Sequence, residues 1–364
     1  MTPAIIFLAA AAFIVYTLFG YPLLLAMLAK RGARPVKAQW EPKSVSVLLA
    51  VRNGEPWVRQ KLRSILDLDY PRELLEILVA SDGSTDQTEE YVRRFESQGV
   101  CLFALPPGGK AGALNVLIKH ARGEILFFTD VRQKLDPACL RNLVACFADE
   151  SVGVASGELV ILDERGREDS HTGLYWTYEK WIRKRLSAID SLPGATGSIY
   201  AMRRELAAPL PADCLLDDVY LPMFAFFRGR RLILEETAKA FDSAISLKTE
   251  FRRKVRTQAG VYQILLAFPQ LLGARNRMWI HFVSHKFARL LLPFALLVLA
   301  IDAFWLPSPW MQAAVIAQAL FYGMALFISP VRTFVTLMAA TFCAASFLFL
   351  PARLFWSAPT GTKS

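Results

Sequence analysis

Residues 75–96 read LEILVASDGSTDQTEEYVRRFE, and they decide the fold. The first part, LEILVAS (75–81), is a short apolar run of the kind that forms a buried strand. It stops at Asp82-Gly83-Ser84, a turn composition. The last part, TDQTEEYVRRFE (85–96), places Asp86 as an N-cap before helical spacing. A strand that delivers its polar end into a helix is the repeating unit of an α/β protein.

The same unit recurs on both sides. Upstream, SVSVLLAV (44–51) predicts a strand that ends at Arg52-Asn53-Gly54-Glu55, and EPWVRQKLRSIL (55–66) predicts the following helix. Downstream, VCLFAL (100–105) is a third strand, and KAGALNVLIKHA (110–121) is a helix entered through Gly108-Gly109-Lys110. A fourth strand, EILFFTD (124–130), closes on Asp130. Strand–helix alternation with short connections implies a Rossmann-like, mainly parallel sheet with helices on both faces. Ligands in such sheets bind beyond the carboxyl ends of the strands.

Those strand ends are all polar. A lone turn, glycine pair or lysine has an ordinary structural explanation. Four such groups at successive strand ends point to a nucleotide site. Asp82 can accept hydrogen bonds from ribose hydroxyls or a base N–H, and Lys110 with its helix N-terminus can oppose diphosphate charge. A divalent cation on Asp130 would neutralise a leaving diphosphate.

The remaining requirement of sugar transfer is a base for the acceptor hydroxyl. LLDDVYLPMFAFF (215–227) puts Asp217 and Asp218 directly before an apolar helical pattern, where they also suit a helix N-cap. GATGSIYAMRREL (194–206) is a glycine turn and short strand, suited to close backbone approach around a sugar, with Gly197 and Ser198 at its centre. FRRKVRTQAG (251–260) carries Arg252, Arg253, Lys254 and Arg256, which suit either lipid headgroups or, for Arg256, a diphosphate.

The chain has 364 residues, 54% hydrophobic, with mean hydropathy +0.32 and net charge +10. Its apolar residues are segregated. No charge occurs in the first 29 residues, and Ala288 to Leu350 contains only Arg289, Asp302 and Arg332. One N-terminal span and three C-terminal ones, near 288–306, 310–328 and 331–350, follow from lengths of about 20 apolar residues. No basic segment precedes the first run, as a signal peptide would require. Lys30, Arg31, Arg34 and Lys37 follow it at once, which predicts an outside N-terminus and a cytoplasmic middle region. The predicted order is a span (1–29), a basic linker (30–43), the α/β domain (44–260), interfacial amphipathic helices (261–287), further spans (288–350) and a tail (351–364). Trp279 is the expected headgroup anchor.

Composition also excludes classes. The positive charge is expected to serve a membrane surface, and no interleaved base-stacking aromatics mark a nucleic-acid reader. Cys101, Cys139, Cys146, Cys214 and Cys343 have no zinc or disulfide spacing. No strand is followed by GxGxxG, which argues against a dehydrogenase.

The ordered set VRNGE, SDGSTDQT, GKAGALN, FFTD, GATGSIYAMRR, LLDDVYL and RRKVRT resembles the membrane-bound family 2 glycosyltransferases of GT-A fold. Bacterial cellulose-synthase-like and poly-N-acetylglucosamine-synthase-like enzymes are the nearest kinds. The resemblance runs over residues 44–260. It implies an inverting transferase that uses a nucleotide-sugar, commonly a UDP-sugar, with Mg²⁺ or Mn²⁺. By position it implies that Arg52, Glu55, Asp82, Lys110, Asp130 and Arg256 bind the donor and that Asp130 holds the metal. It further implies that Asp218 is the catalytic base. Gly197, Ser198 and Asp217 would line the sugar or acceptor pocket.

There are two departures. Arg253 and Thr257 stand where the family's last block has glutamine and tryptophan, which leaves single-sugar transfer open beside polymer synthesis. Arg132 stands where the metal motif has its second aspartate. In extended geometry residues 130 and 132 point the same way. Arg132 then repels a cation or supplies charge to the diphosphate; alternatively the strand has ended and Arg132 turns to solvent before Asp136-Pro137. We read Asp130 as a single-aspartate site completed by donor phosphates and water, with a metal-light site using Arg132 as the rival.

The expectation is a transferase in the bacterial inner membrane that passes a sugar to a glycan or lipid-linked acceptor in cell-surface polysaccharide synthesis. Its partners would be lipids and proteins of a polysaccharide export system, with no nucleic acid. Two alternatives fit the same residues: a catalytically silent donor-binding partner of a polysaccharide machine, and a nucleotide-regulated transporter component.

Overall fold

The computed structural model describes residues 2–163, 174–243 and 247–355. The chain forms two compact units. One comprises residues 34–169 and 187–244; the other comprises residues 1–33, 170–186 and 245–364.

The first unit is built on a single eight-stranded sheet. Its strands are β1 (Val45–Val51), β2 (Leu75–Asp82), β3 (Val100–Leu105), β4 (Ile125–Thr129), β5 (Lys134–Leu135), β6 (Val152–Leu162), β7 (Ile199–Arg203) and β8 (Arg231–Ser243). They lie in the order β3-β2-β1-β4-β7-β6-β8-β5. The first four are parallel: Val45 pairs with Leu75 on one side and with Ile125 on the other. β7 runs antiparallel to β4 and β6, β8 runs parallel to β6, and β5 is antiparallel to β8. The strand order turns back between β1 and β4, so the carboxyl ends of β1, β2 and β4 open at one crevice.

Burial explains why these runs are strands. β1 and β4 are covered almost throughout, as expected of parallel strands with helices on both faces. Val47, Leu49, Ile77, Val79 and Phe127 pack with Val58, Leu62 and Ile65 of the helix Glu55–Leu66. Leu140, Leu143 and Val144 of the helix Cys139–Ala145 join the same core. Each such side chain contributes about 1.5–3 kcal/mol through burial.

The expected helix over 85–96 is shorter. It runs Thr88–Arg93, then a 3₁₀ turn Glu96–Gln98 ends at Gly99 with φ +83°. β6 and β8 have mixed composition, VGVASGELVIL and RLILEETAKAFDS, and no clean period announces either. Their pairing with each other and with β7 and β5 makes them strands.

In the second unit, three of the described helices are long and apolar enough to cross a membrane: Ala4–Arg31, Trp279–Trp305 and Ser329–Leu348. At about 1.5 Å per residue even the shortest reaches about 30 Å, the thickness of a hydrocarbon core. Leu8, Phe19, Leu23, Phe304 and Leu326 are exposed apolar side chains of the kind a bilayer covers. Tyr16 and Ser284 share a hydrogen bond of 2.7 Å, and Arg289 pairs with Glu179.

The expected span at 310–328 forms the helix Trp310–Met324, of 15 residues, about 22 Å long. Pro307 and Pro309 precede it, and it ends in a turn at 325–327 before Pro330 opens the next helix. The expected interfacial stretch 261–287 also divides. Its first residues end the helix Leu247–Ala267, and from Trp279 the chain has entered the second long helix. The tail from residue 356 lies outside the described residues.

Candidate active site

The loops after β1 and β2 are stitched together. Asn53, at φ +50°, accepts the Thr85 N–H on its Oδ1 at 2.8 Å, and its own N–H donates to Ser84 Oγ at 3.1 Å. The Gly54 N–H donates to Thr88 Oγ1 at 2.8 Å. Asp86 accepts the Glu55 and Thr88 N–H groups at 3.1 and 3.0 Å. Burial works against the Asp86 charge, but these hydrogen bonds outweigh it and hold its carboxyl below the usual range. Glu55 in turn accepts the Gln87 N–H at 3.1 Å. The composition that marks a nucleotide loop therefore also locks that loop.

Asp82, at the end of β2, is buried. Its Oδ1 accepts the Gly108 and Gly109 N–H groups at 2.6 and 2.9 Å, and its Oδ2 lies 4.0 Å from Arg52. Asp82 thus fixes the glycine turn that starts the helix Gly109–His120. Next to it Gly83, at φ +60°, has no room for a Cβ, which would stand 2.5 Å from Pro107. Glycine is required there on both counts.

Lys110 is the centre of the crevice. Its Nζ lies 3.0 Å from Asp130 and 3.1 Å from Asp217. Burial works against its charge, but Asp130, Asp217 and Asp218 together overcome that and hold it above the ordinary lysine value. The three carboxylates thus favour its cationic form. Asp217 and Asp218 open the helix Asp217–Phe227, where the N-terminal dipole favours carboxylates. Asp218 sits against Gly197, where an added Cβ would stand 2.8 Å from its Oδ2. The Ala195 N–H donates to the Asp218 carbonyl at 2.8 Å, and the Thr196 N–H to Ser156 Oγ at 2.9 Å. Ser198 Oγ is buried without a hydrogen-bond partner.

Arg132 pairs with Asp242 on β8 at 2.5 Å, and Gln133 Nε2 donates to the same oxygen at 2.8 Å. Arg132 is therefore no unpaired charge: its partner is a buried carboxylate inside the unit. Asp242 is buried, and nothing in its local sequence distinguishes it.

Lys110, Asp130, Asp217, Asp218 and Gly197 are thus brought together, with Arg52 and Asp82 beside the glycine turn. Arg256 lies on the helix Leu247–Ala267, in the other unit. Two further residues escaped the sequence reading. Asn115 clamps Leu210 on both backbone groups at 2.8 Å, which steadies the chain leading to Asp217. Lys61 is fully buried beneath Thr129. Its signal was legible: positions 58, 61, 62 and 65 share one helical face, and the lysine interrupts an apolar stripe.

No group of three or more His, Cys, Asp or Glu side chains able to hold a metal occurs among the described residues. An ion that arrives with diphosphate oxygens needs only one or two protein carboxylates. Asp130, whose side chain is 38% exposed, fits that requirement.

The sequence and fold have known counterparts. Residues 46–209 match the model of glycosyl transferase family 2. The beta-monoglucosyldiacylglycerol synthase of Trichormus variabilis is 25% identical over 190 residues, 48% of this chain and 39% of that protein. The probable glycosyltransferase YdaM of Bacillus subtilis is 29% identical over 255 residues, 63% of this chain and 57% of the relative. The chain therefore matches between about two fifths and three fifths of the length of these relatives. The solved structure of the mannosyltransferase PcManGT from Pyrobaculum calidifontis, in complex with GDP-Man and Mn²⁺, is 26% identical with a TM-score of 0.77. That match covers 94% of this chain and 99% of the other.

Proposed function

We propose that this chain, which carries a family 2 glycosyltransferase domain over residues 46–209, transfers a sugar from a nucleoside diphosphate donor to an acceptor hydroxyl with inversion. The observation that carries the reading is the Lys110 cluster. One lysine joins Asp130, at the end of β4, to Asp217, at the head of the helix that bears Asp218. A donor side and a base side are thereby held on one group.

In this reading Asp218 takes the proton from the acceptor hydroxyl, whose oxygen bonds to the anomeric carbon as the bond to the diphosphate breaks. One base and one displacement invert the anomeric centre. Lys110 opposes the charge that collects on the departing diphosphate. Arg52, Glu55 and Asp82 face the nucleoside, and Gly197 leaves space for the sugar beside Asp218. Asp130 would hold a divalent ion, Mg²⁺ or Mn²⁺, which supplies further charge neutralisation at the diphosphate when bound.

The donor's base and sugar follow from the relatives only by analogy. A UDP-sugar suits the resemblance to bacterial polysaccharide synthases, and GDP-mannose suits PcManGT. The acceptor we favour is a glycan or a lipid-linked molecule, because three helices can span a membrane and one relative is named for a glycosylated diacylglycerol. Lys30, Arg31, Arg34 and Lys37 favour a cytoplasmic catalytic unit at a bacterial inner membrane. Cell-surface polysaccharide synthesis with export partners fits that setting.

The test uses purified protein in lipid with UDP-, GDP- and dTDP-sugars, each with Mg²⁺, Mn²⁺ or EDTA, and records nucleoside diphosphate release. Metal-dependent release from one donor, lost in Asp218→Asn, is the expected result. Undiminished turnover by Asp218→Asn, or a product with retained anomeric configuration, would overturn the mechanism.

A further inference from the structure

Beneath the crevice, Lys61 has a side chain only 1% exposed. Its Nζ donates to Thr129 Oγ1 at 2.6 Å and to the Gln133 carbonyl at 2.8 Å. Thr129 Oγ1 donates to the Ser198 carbonyl at 2.8 Å. The direction of this relay is fixed by chemistry. The Gln133 and Ser198 carbonyls can only accept, so Thr129 turns its hydrogen to Ser198 and Lys61 donates both to Gln133 and to Thr129. One buried side chain thereby holds three points: the residue before Asp130, the end of the turn that follows it, and the residue after Gly197.

Packing alone does not account for a lysine here. Val58, Leu62 and Ile65 on the same helix face are fully buried, and a fourth apolar side chain would avoid the cost of burying an ammonium. The carboxylate acting on Lys61 is Asp130, from the exit of β4; the nearby Cys139 thiol, pushed up by burial, stays neutral.

We propose that Lys61 is a positioning residue for the transfer reaction, fixing the distance between the Asp130–Lys110 side of the crevice and the Gly197–Asp218 side. The role rests on the reading of Asp130 and Asp218 given above. It predicts a defect in the chemical step and little change in donor binding, because Lys61 touches neither donor nor acceptor. A misplacement of about 1 Å at reacting groups can cost on the order of 100-fold in rate.

The experiment compares wild type, Lys61→Met, Thr129→Val and the double variant in lipid, with the donor and metal that give wild-type turnover. Thermal unfolding is recorded for each. Lys61→Met keeps the length and apolar contacts of the stem. Thr129→Val removes only the relay's middle hydroxyl, so it decides the matter if Lys61→Met does not fold. The expected result is a kcat lowered about 10- to 100-fold in both single variants, with donor KM changed by less than about 3-fold. The double variant should be no slower than the worse single one, since both break one relay. Folded variants with wild-type kcat, or equal losses in kcat and donor affinity, would overturn the role. Wild type silent with every donor would instead remove the transfer reaction itself, and this role with it.

Discussion

Arg132 and Asp242 form an ion pair of 2.5 Å that joins the exit of β4 to the end of β8. Asp242 also accepts from Gln133 and from the Ser243 N–H at 2.9 Å. The arginine found where the metal motif has its second aspartate is therefore compensated by a carboxylate from a distant strand. The cation that faces Asp130 is Lys110, at 3.0 Å. In the proposed single-aspartate site, pairing with Asp242 offsets the repulsion that Arg132 would exert on a cation.

Arg132→Ala leaves the buried Asp242 without its cation. Losing one partner of a buried pair costs about 3–5 kcal/mol, and the partial exposure of Arg132 reduces that to about 1–3 kcal/mol. Denaturant unfolding in detergent should show this loss. Adding Asp242→Asn should recover part of it, and metal dependence of turnover should be unchanged in Arg132→Ala.

Gly197→Ala places a methyl group 2.8 Å from Asp218 Oδ2, closer than any real contact of that kind. Either Asp218 or the 194–198 turn must move. Because Asp218 is the proposed base, kcat should fall by about 100-fold or more while donor KM changes little. Steady-state kinetics with the active donor measures this.

Lys110→Met removes the cation between Asp130 and Asp217 and leaves two carboxylates facing each other. A hydrogen bond to a charged group contributes about 1.5–3 kcal/mol, so donor affinity should fall about 10- to 100-fold. Titration calorimetry with the active donor measures it. In the wild type, the raised pKa of Lys110 keeps its charge through alkaline pH, so this contribution should persist from pH 7 to pH 9.

Burial, partly opposed by Asp130, lowers the Lys61 pKa to about 7 from an ordinary 10.5. Between those values the unfolded chain holds a proton that the folded chain has released, so stability rises with pH across that window. The slope from this group is at most about 1.4 kcal/mol per pH unit, and it vanishes below about pH 7, where both states are protonated. Lys61→Met should flatten the rise. Urea unfolding in detergent from pH 6 to pH 10 measures it.

The sequence by itself determined the four-strand parallel core, the polar ends of its strands and the apolar segments. Those features are local. β1 to β4 are nearly continuous apolar runs, turns need their glycines, and a run of about 20 apolar residues has one common use. Lys110, Asp130, Asp217 and Asp218 were legible for the same reason, since each stands at a strand end or a helix start. What the tertiary structure decided is which groups meet across the sheet. Asp242 lies 110 residues from Arg132, Thr129 is 68 residues from Lys61, and Leu210 is 95 residues from Asn115. Asp82 reads as a ligand of ribose or base and Asp86 as an N-cap; in the structure Asp82 holds the Gly108 and Gly109 N–H groups, and Asp86 holds that of Glu55 from the loop after β1 as well as that of Thr88. A carboxylate's partners depend on which loops the parallel strands carry to the same edge, and that edge exists only once the sheet is assembled.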